Sequence, residues 1–236
     1  NSIKKGIAQP AITKSKKSKL INVNEVVFPS LGQSAKGIEI KIINSNTNKT
    51  CQNLHIGEVC ITGDSITQGY WGNTEATQNT YITYDKKRYL RTGDLGFLNQ
   101  SNELFITGRL KDLIIIDGKN HYPQDIEFTT QTVDELLKEN SCAVFTIDDS
   151  QDIKNINRLI IIQELDRSYR NKADTKRLQT IKENIKSTIS QQHSLAVNDV
   201  VLIDCNTMPK TTSGKIKRHQ AKYLYENHML HEVNEN

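Results

Sequence analysis

Three charged residues stand beside glycines in ways that suit phosphate chemistry. Asp94 ends Y-L-R-T-G-D (residues 89–94), Arg109 is second in G-R-L-K-D-L (108–113), and Lys215 ends T-T-S-G-K (211–215). An aspartate can accept two hydroxyl hydrogen bonds, and an arginine is a permanently charged fork of donors, so the pair fits a ribose and a phosphate. Gly93-Asp94 and Gly108-Arg109 bracket a short apolar piece, residues 104–106. Asp94 and Arg109 are therefore expected at the ends of short strands, where a rigid scaffold aims side chains into a cleft. Lys215 follows Gly214, which allows the backbone shapes of a flexible loop. A lysine on such a loop can reach in for one step and withdraw for the next. Alone, each is ordinary: an acid closing a turn, an arginine pairing at the surface, an exposed loop lysine.

Around these residues the hydrophobic pattern names the supporting elements. Ile38, Ile40 and Ile42 alternate with Glu39 and Lys41, which predicts a half-buried strand. Val59 and Ile61 alternate with Glu58 and Cys60, which predicts its partner. Residues 26–107 read as a small, mostly antiparallel β subdomain, in which the aromatic residues of Gln68-Gly-Tyr-Trp-Gly72 are expected to pack. The apolar run 113–116 ends at Asp117-Gly118, a strong hairpin signal. Pro123 is suited to a helix first turn, and Asp125 and Glu127 favour that helix N-terminus. Residues 141–147, 158–162 and 199–203 read as strands. Leu178, Ile181, Ile185 and Ile189 recur at helical spacing, and Ala221, Tyr225 and His228 predict a last helix. Strands alternating with helices imply a compact α+β domain.

The chain has 236 residues, 36% hydrophobic and 25% charged, enough for one large or two modest domains. No apolar run approaches a membrane span, and no N-terminal apolar segment resembles a signal peptide. Cys51, Cys60, Cys142 and Cys205 are scattered without a C-x-x-C pair, so neither a zinc site nor a disulfide framework is supported, and a cytoplasmic location fits. Residues 1–24 carry six lysines and no acid and read as loop-like. No aromatic residue interleaves with those lysines, which argues against nucleic-acid binding. His121, alone in its turn, is not assigned a role.

Taken together, the ordered motifs resemble the adenylate-forming enzymes: acyl-CoA synthetases, luciferases, peptide-synthetase adenylation domains and fatty acyl-AMP ligases. Y-L-R-T-G-D, then G-R-L-K-D-L-I-I-I, then P-K-T-T-S-G-K-I-K-R (209–218) carry the resemblance, which extends from about Val26 onward. G-K-N-H-Y-P-Q-D-I-E (118–127) looks like the fatty acyl-AMP ligase branch. The resemblance implies an α+β fold. Residues 1–108 would be the C-terminal, β-rich and distorted barrel-like part of a large domain, 109–111 a hinge, and 112–236 a small mobile domain. It implies activation of a long-chain fatty acid with ATP to acyl-adenylate and pyrophosphate. Transfer to the phosphopantetheine of an acyl carrier protein, or of a polyketide or peptide synthase carrier domain, would follow. Lys215 would be the catalytic lysine; Asp94, Arg109 and Ile106 would contact ATP or AMP; Lys111 would be the hinge residue; Gly118 would approach the pantetheine. Cations between Lys210 and Arg218 would help dock an acidic carrier. Mg²⁺ would accompany ATP, held by a family segment not found here, so no metal residue is named. No Gly/Ser/Thr phosphate loop precedes Tyr89, so the chain is expected to be the C-terminal portion of a longer enzyme, inactive alone. The alternatives are an acyl-CoA synthetase or peptide-synthetase adenylation domain, or a non-catalytic module that docks a carrier protein.

Overall fold

The computed structural model describes residues 28–148, 157–169 and 174–233. The lysine-rich stretch 1–24 lies outside them. The chain divides into two compact units, Asn1–Leu113 and Ile114–Asn236. Residues 109–111, the expected hinge, thus end inside the first unit, two residues before the division. The 3₁₀ turn they enter, Leu110–Asp112, packs on the long strand of that unit.

In the first unit, strands β1 (Ile38–Ile43), β2 (Gly57–Gly63), β3 (Tyr81–Tyr84), β4 (Lys87–Leu98) and β5 (Leu104–Arg109) form one curled antiparallel sheet. β4 is its spine. Its first half pairs with β3, its second half with β5, and β2 runs along the other edge. The expected outward placing of Glu58 and Cys60 is overturned: both are buried, because Cys60 packs with Ile43 and Tyr89 in a small core and Glu58 meets Arg91. A short helix, α1 (Thr74–Thr80), was not anticipated; Asn73 caps it by accepting from the Ala76 N–H at 2.9 Å. Tyr70 and Trp71, expected to pack, are exposed instead, Trp71 completely (103%). The left-handed Gly72 and the Asn73 cap turn the chain so that both rings point out.

In the second unit, β6 (Ile114–Ile116) and β7 (Lys119–His121) form the expected hairpin. Asp117 and Gly118 both have positive φ, the type I′ geometry whose twist matches paired strands. Helix α2 (Pro123–Gln131) starts with its proline in the first turn. A three-stranded sheet follows, ordered β10 (Asp199–Ile203), β9 (Asn157–Leu165), β8 (Leu137–Asp148). β8 and β9 are antiparallel; β9 and β10 are parallel, joined through helix α3 (Thr175–His193). The apolar stripe of α3 is fully inside, with Ile126 of α2, against one face of this sheet. Helix α4 (Arg218–Glu226) covers the other face through Ala221 and Tyr225. Cover on both faces explains why 159–162 is continuously apolar rather than alternating. The prediction that His228 belongs to the last helix fails: α4 stops at Glu226, and His228 sits at φ 53° in the turn beyond it.

Candidate functional site

Asp94 is not at a strand end. It lies inside β4, at a bulge where Glu58 and Cys60 of β2 face Leu95 and Arg91, so that β4 carries extra residues between them. Gly93, at φ 72°, absorbs the irregularity, which is why a glycine-aspartate pair that reads as a turn leaves the strand unbroken. Thr92 braces the bulge. Its hydroxyl donates to the Val59 carbonyl at 2.8 Å and accepts the Asp94 N–H at 3.1 Å. Glu58, only 2% exposed, accepts from Arg91 at 2.6 and 2.8 Å and from the Gly93 N–H at 3.3 Å. That carboxylate holds the Arg91 guanidinium above its ordinary pKa. Sequence reading missed Glu58, since strand alternation placed it in solvent.

Arg109 is directly opposite Asp94 as the last residue of β5. Its Nε donates to Asp94 Oδ1 at 2.9 Å. The pair is only partly covered, with side-chain exposures of 65% for Arg109 and 32% for Asp94. Among the described residues the second carboxylate oxygen and the two terminal guanidinium nitrogens have no further partner, so acceptor and donors remain for a ribose hydroxyl and a phosphate oxygen. This donor set fits a nucleotide. Ile106 is half-buried across from Gly96, on the same strand as Arg109. Between them Thr107 is the extra residue of a second bulge, buried, with a hydroxyl that finds no partner among the described residues. Lys111 is exposed in the 3₁₀ turn.

Lys215 and Gly118 belong to the second unit. Lys215 is exposed on a hairpin loop closed by the Lys210–Ile216 bridge. The loop is tied, not loose: Thr211 N–H donates to the Lys215 carbonyl at 2.8 Å, Gly214 N–H to the Thr211 carbonyl at 2.9 Å, and Lys215 N–H to the Thr211 hydroxyl at 3.0 Å. Gly214 has φ 82° with open space at its Cβ position, so its role is the turn itself. The same holds for Gly118, where nothing lies within 4 Å of a Cβ. Two cations expected to dock a partner are engaged inside the unit. Lys210 donates to Ser141 at 2.6 Å, and Arg218 grips Glu127 at 2.6 and 2.7 Å. Lys215 and Lys217 are the ones left exposed in that segment. His121 is buried in the hairpin. Among the described residues no cluster of three or more His, Cys, Asp or Glu could hold a metal.

The model of the Disco-interacting protein 2-like AMP domain matches residues 111–235. A medium-chain-fatty-acid–[acyl-carrier-protein] ligase, JamA of Moorena producens, is 40% identical over 200 residues, covering 83% of this chain and 32% of that protein. The long-chain-fatty-acid–AMP ligase FadD23 of Mycobacterium tuberculosis is 35% identical, covering 79% of this chain and 31% of its own length. The chain thus spans about a third of these relatives. Among solved structures, the McyG A-PCP complexed with phenylalanyl-adenylate aligns at TM-score 0.70 and 30% identity, over 86% of this chain and 30% of that one. A fatty acyl-adenylate ligase structure, from work on the E. coli and L. pneumophila enzymes, shares the fold at TM-score 0.72 and 24% identity, over 95% of this chain and 36% of that one. With more than half of its residues matched by that model, the chain belongs to the Disco-interacting protein 2-like AMP-domain family of the adenylate-forming superfamily.

Proposed function

We propose that the chain is the C-terminal portion of a fatty acyl-AMP ligase. The fatty carboxylate attacks the α-phosphorus of ATP, an acyl-phosphate bond forms, and the bond to pyrophosphate breaks. The acyl group then passes to the thiol of a carrier-protein phosphopantetheine and AMP leaves. The observation that carries the reading is the half-used Asp94–Arg109 pair, which keeps a free carboxylate oxygen and free guanidinium donors on a braced bulge. Asp94 receives the ribose hydroxyls, and Arg109 holds the ribose or phosphate beside Ile106. Lys215, an exposed cation, neutralises the charge that develops as carboxylate and α-phosphate meet. Lys111 is the residue about which the second unit changes pose between the half-reactions. Gly118 lies by the pantetheine in the second pose. Mg²⁺ accompanies ATP, with no ligand assigned in this chain.

The narrower choice of acceptor rests on G-K-N-H-Y-P-Q-D-I-E and on JamA, named as an acyl-carrier-protein ligase. Free CoA as acceptor is the competing reading, favoured by a 37% identical relative named a putative fatty-acid–CoA ligase, fadD21 of Mycobacterium leprae. The cytoplasm is the expected compartment: all four cysteines are free thiols, and no helix among the described residues is long and apolar enough to cross a membrane. The test uses the full-length protein with a fatty acid and ATP, followed by a choice of holo carrier protein or CoA. Fatty-acid-dependent ATP–pyrophosphate exchange with acyl transfer to the carrier alone is expected. Transfer to CoA selects the synthetase reading, and absence of any exchange selects a non-catalytic docking module.

A further inference from the structure

The hairpin that presents Lys215 stands on a buried carboxylate. Glu164, near the end of β9, is 1% exposed. Its Oε1 accepts the Asn206 N–H at 2.8 Å and the Lys138 ammonium, and its Oε2 accepts the Met208 N–H at 3.0 Å. Lys138 also donates to the Asn206 side chain at 2.9 Å. Asn206, at φ 66°, reverses the chain after β10, and Met208 plugs into the core beneath α4. The first leg of the hairpin rises from this base, while Lys210 on Ser141 and Arg218 on Glu127 tie the segment elsewhere in the unit. Pro209 follows Met208, and its carbonyl accepts the Lys217 N–H at 2.9 Å, joining the two legs of the hairpin. The Lys210–Ile216 bridge sits one step further out, and Lys215 comes next.

A buried glutamate costs desolvation that one ammonium rarely offsets, so its other bonds matter. Here both oxygens are used, and two of the three donors are backbone N–H groups at the foot of the lysine loop. A buried carboxylate with both oxygens engaged restricts the geometry of its donors. Geometry is what a charge-neutralising lysine needs, because a displacement of about 1 Å can cost roughly 100-fold in rate. We infer that Glu164, with Lys138, is a positioning residue that fixes the base of the Lys215 hairpin. The inference rests on the reading of Lys215 as the adenylation lysine. It assigns to Glu164 no contact with substrate.

The test is Glu164→Gln in the full-length protein. An amide keeps the shape, but it offers one acceptor oxygen where two N–H groups and an ammonium converge. Hydrogen exchange should quicken in the peptide 209–217 and stay at the wild-type rate across α3. Adenylation should slow by roughly tenfold or more with KM for ATP unchanged, and transfer from supplied acyl-AMP should remain normal. Unchanged exchange in 209–217, unchanged adenylation, or equal loss of protection in α3 each overturns the inference, the last by making Glu164 a general stabiliser. Lys215→Ala runs beside it. Wild-type adenylation in that variant sinks the reading of Lys215 and the inference with it. A slow Lys215→Ala beside a fast Glu164→Gln sinks the inference alone.

Discussion

The first unit offers two candidate side chains that hold each other, and the second offers one whose charged end has no partner among the described residues. Asp94 and Arg109 are partners across a sheet, so a ligand there completes a pair already half made. Lys215 stands at a hairpin tip with its charge open to solvent, and only its backbone is tied. Beneath this difference lies a shared device. In each unit a glutamate within a strand, more than nine-tenths buried, is matched by a cation and accepts backbone N–H from the segment that leads to a candidate residue: Glu58 from Gly93, next to Asp94, and Glu164 from Asn206 and Met208, at the foot of the Lys215 hairpin. Regular strands satisfy their own backbone; irregular ones need an outside acceptor. A buried carboxylate supplies it where the chain must bend to aim a side chain. On the proposed function the two units build their sites by one means and would use them differently, the first to bind and the second to stabilise developing charge.

That contrast breaks if the two sites fail in the same way. Lys215→Ala should show the largest effect, a loss of roughly 10²–10³ in the rate of acyl-AMP formation, with KM for ATP little changed and thiol transfer from supplied acyl-AMP preserved. Asp94→Ala should instead raise KM for ATP. Hydrogen bonds to a charged acceptor are worth about 1.5–3 kcal/mol each, or roughly 10- to 100-fold. Steady-state exchange kinetics on both variants decide the matter. A KM effect in Lys215→Ala equal to that in Asp94→Ala would merge the two roles.

Glu58→Gln sharpens the shared part of the comparison. It leaves the Gly93 N–H or the Arg91 guanidinium short of an acceptor, and a buried unsatisfied donor costs about 1–3 kcal/mol. Arg91 is partly exposed, so water recovers some of this, and the lower part of that range is expected. The bulge carrying Asp94 then loosens, and KM for ATP should rise severalfold while the adenylation rate at saturating ATP holds. Glu164→Gln should do the reverse. Denaturant unfolding with the two kinetic constants, measured on both variants, tests the symmetry. If both move the same constant, the buried glutamates are general stabilisers and not aiming devices.

Local rules made much of this molecule legible. Asp117-Gly118 gave its hairpin, Pro123 its helix start, the Leu178–Ile181–Ile185–Ile189 stripe its buried face, and 199–203 its strand with the expected bounds. Each depends on neighbours in sequence. What escaped depends on contacts made at a distance. The alternation in β2 put Glu58 outside because nothing local reveals Arg91, 33 residues away, as its partner. Gly93-Asp94 reads as a turn unless β2 and β5 are known to run past it and hold it in strand. Glu164 sits just after an apolar run, where an acid reads as the strand emerging into solvent, yet its oxygens are filled by a chain segment 42 and 44 residues later. The candidate residues themselves were proposed from type and motif, and the residues that brace them were not, since bracing is a property of the folded backbone.

The last test reads the two units through pH, with opposite signs. Asp125 lies in the first turn of α2, where the helix dipole favours a carboxylate. Burial outweighs this and pushes its pKa up to about 6. In the unfolded chain it titrates near its ordinary value of about 3.9. The folded state therefore holds the proton more tightly, so the contribution of Asp125 to stability is complete below about pH 4 and is lost as pH rises through about 6. Glu39 in the first unit does the opposite. Hydrogen bonds from Lys87 and Tyr89 lower its pKa, so its contribution is present at neutral pH and fades as pH falls through its folded value. Its carboxylate is well exposed, which keeps the effect small. Asp125→Asn should then raise Tm at pH 7.5 and match the parent below pH 4, while Glu39→Gln should lower Tm at pH 7.5 and converge with the parent in acid. Thermal melts of the parent and both variants from about pH 2 to pH 8 check this. A Tm difference of the same sign for the two substitutions at neutral pH would show that burial does not govern Asp125, and that its place at the helix start does.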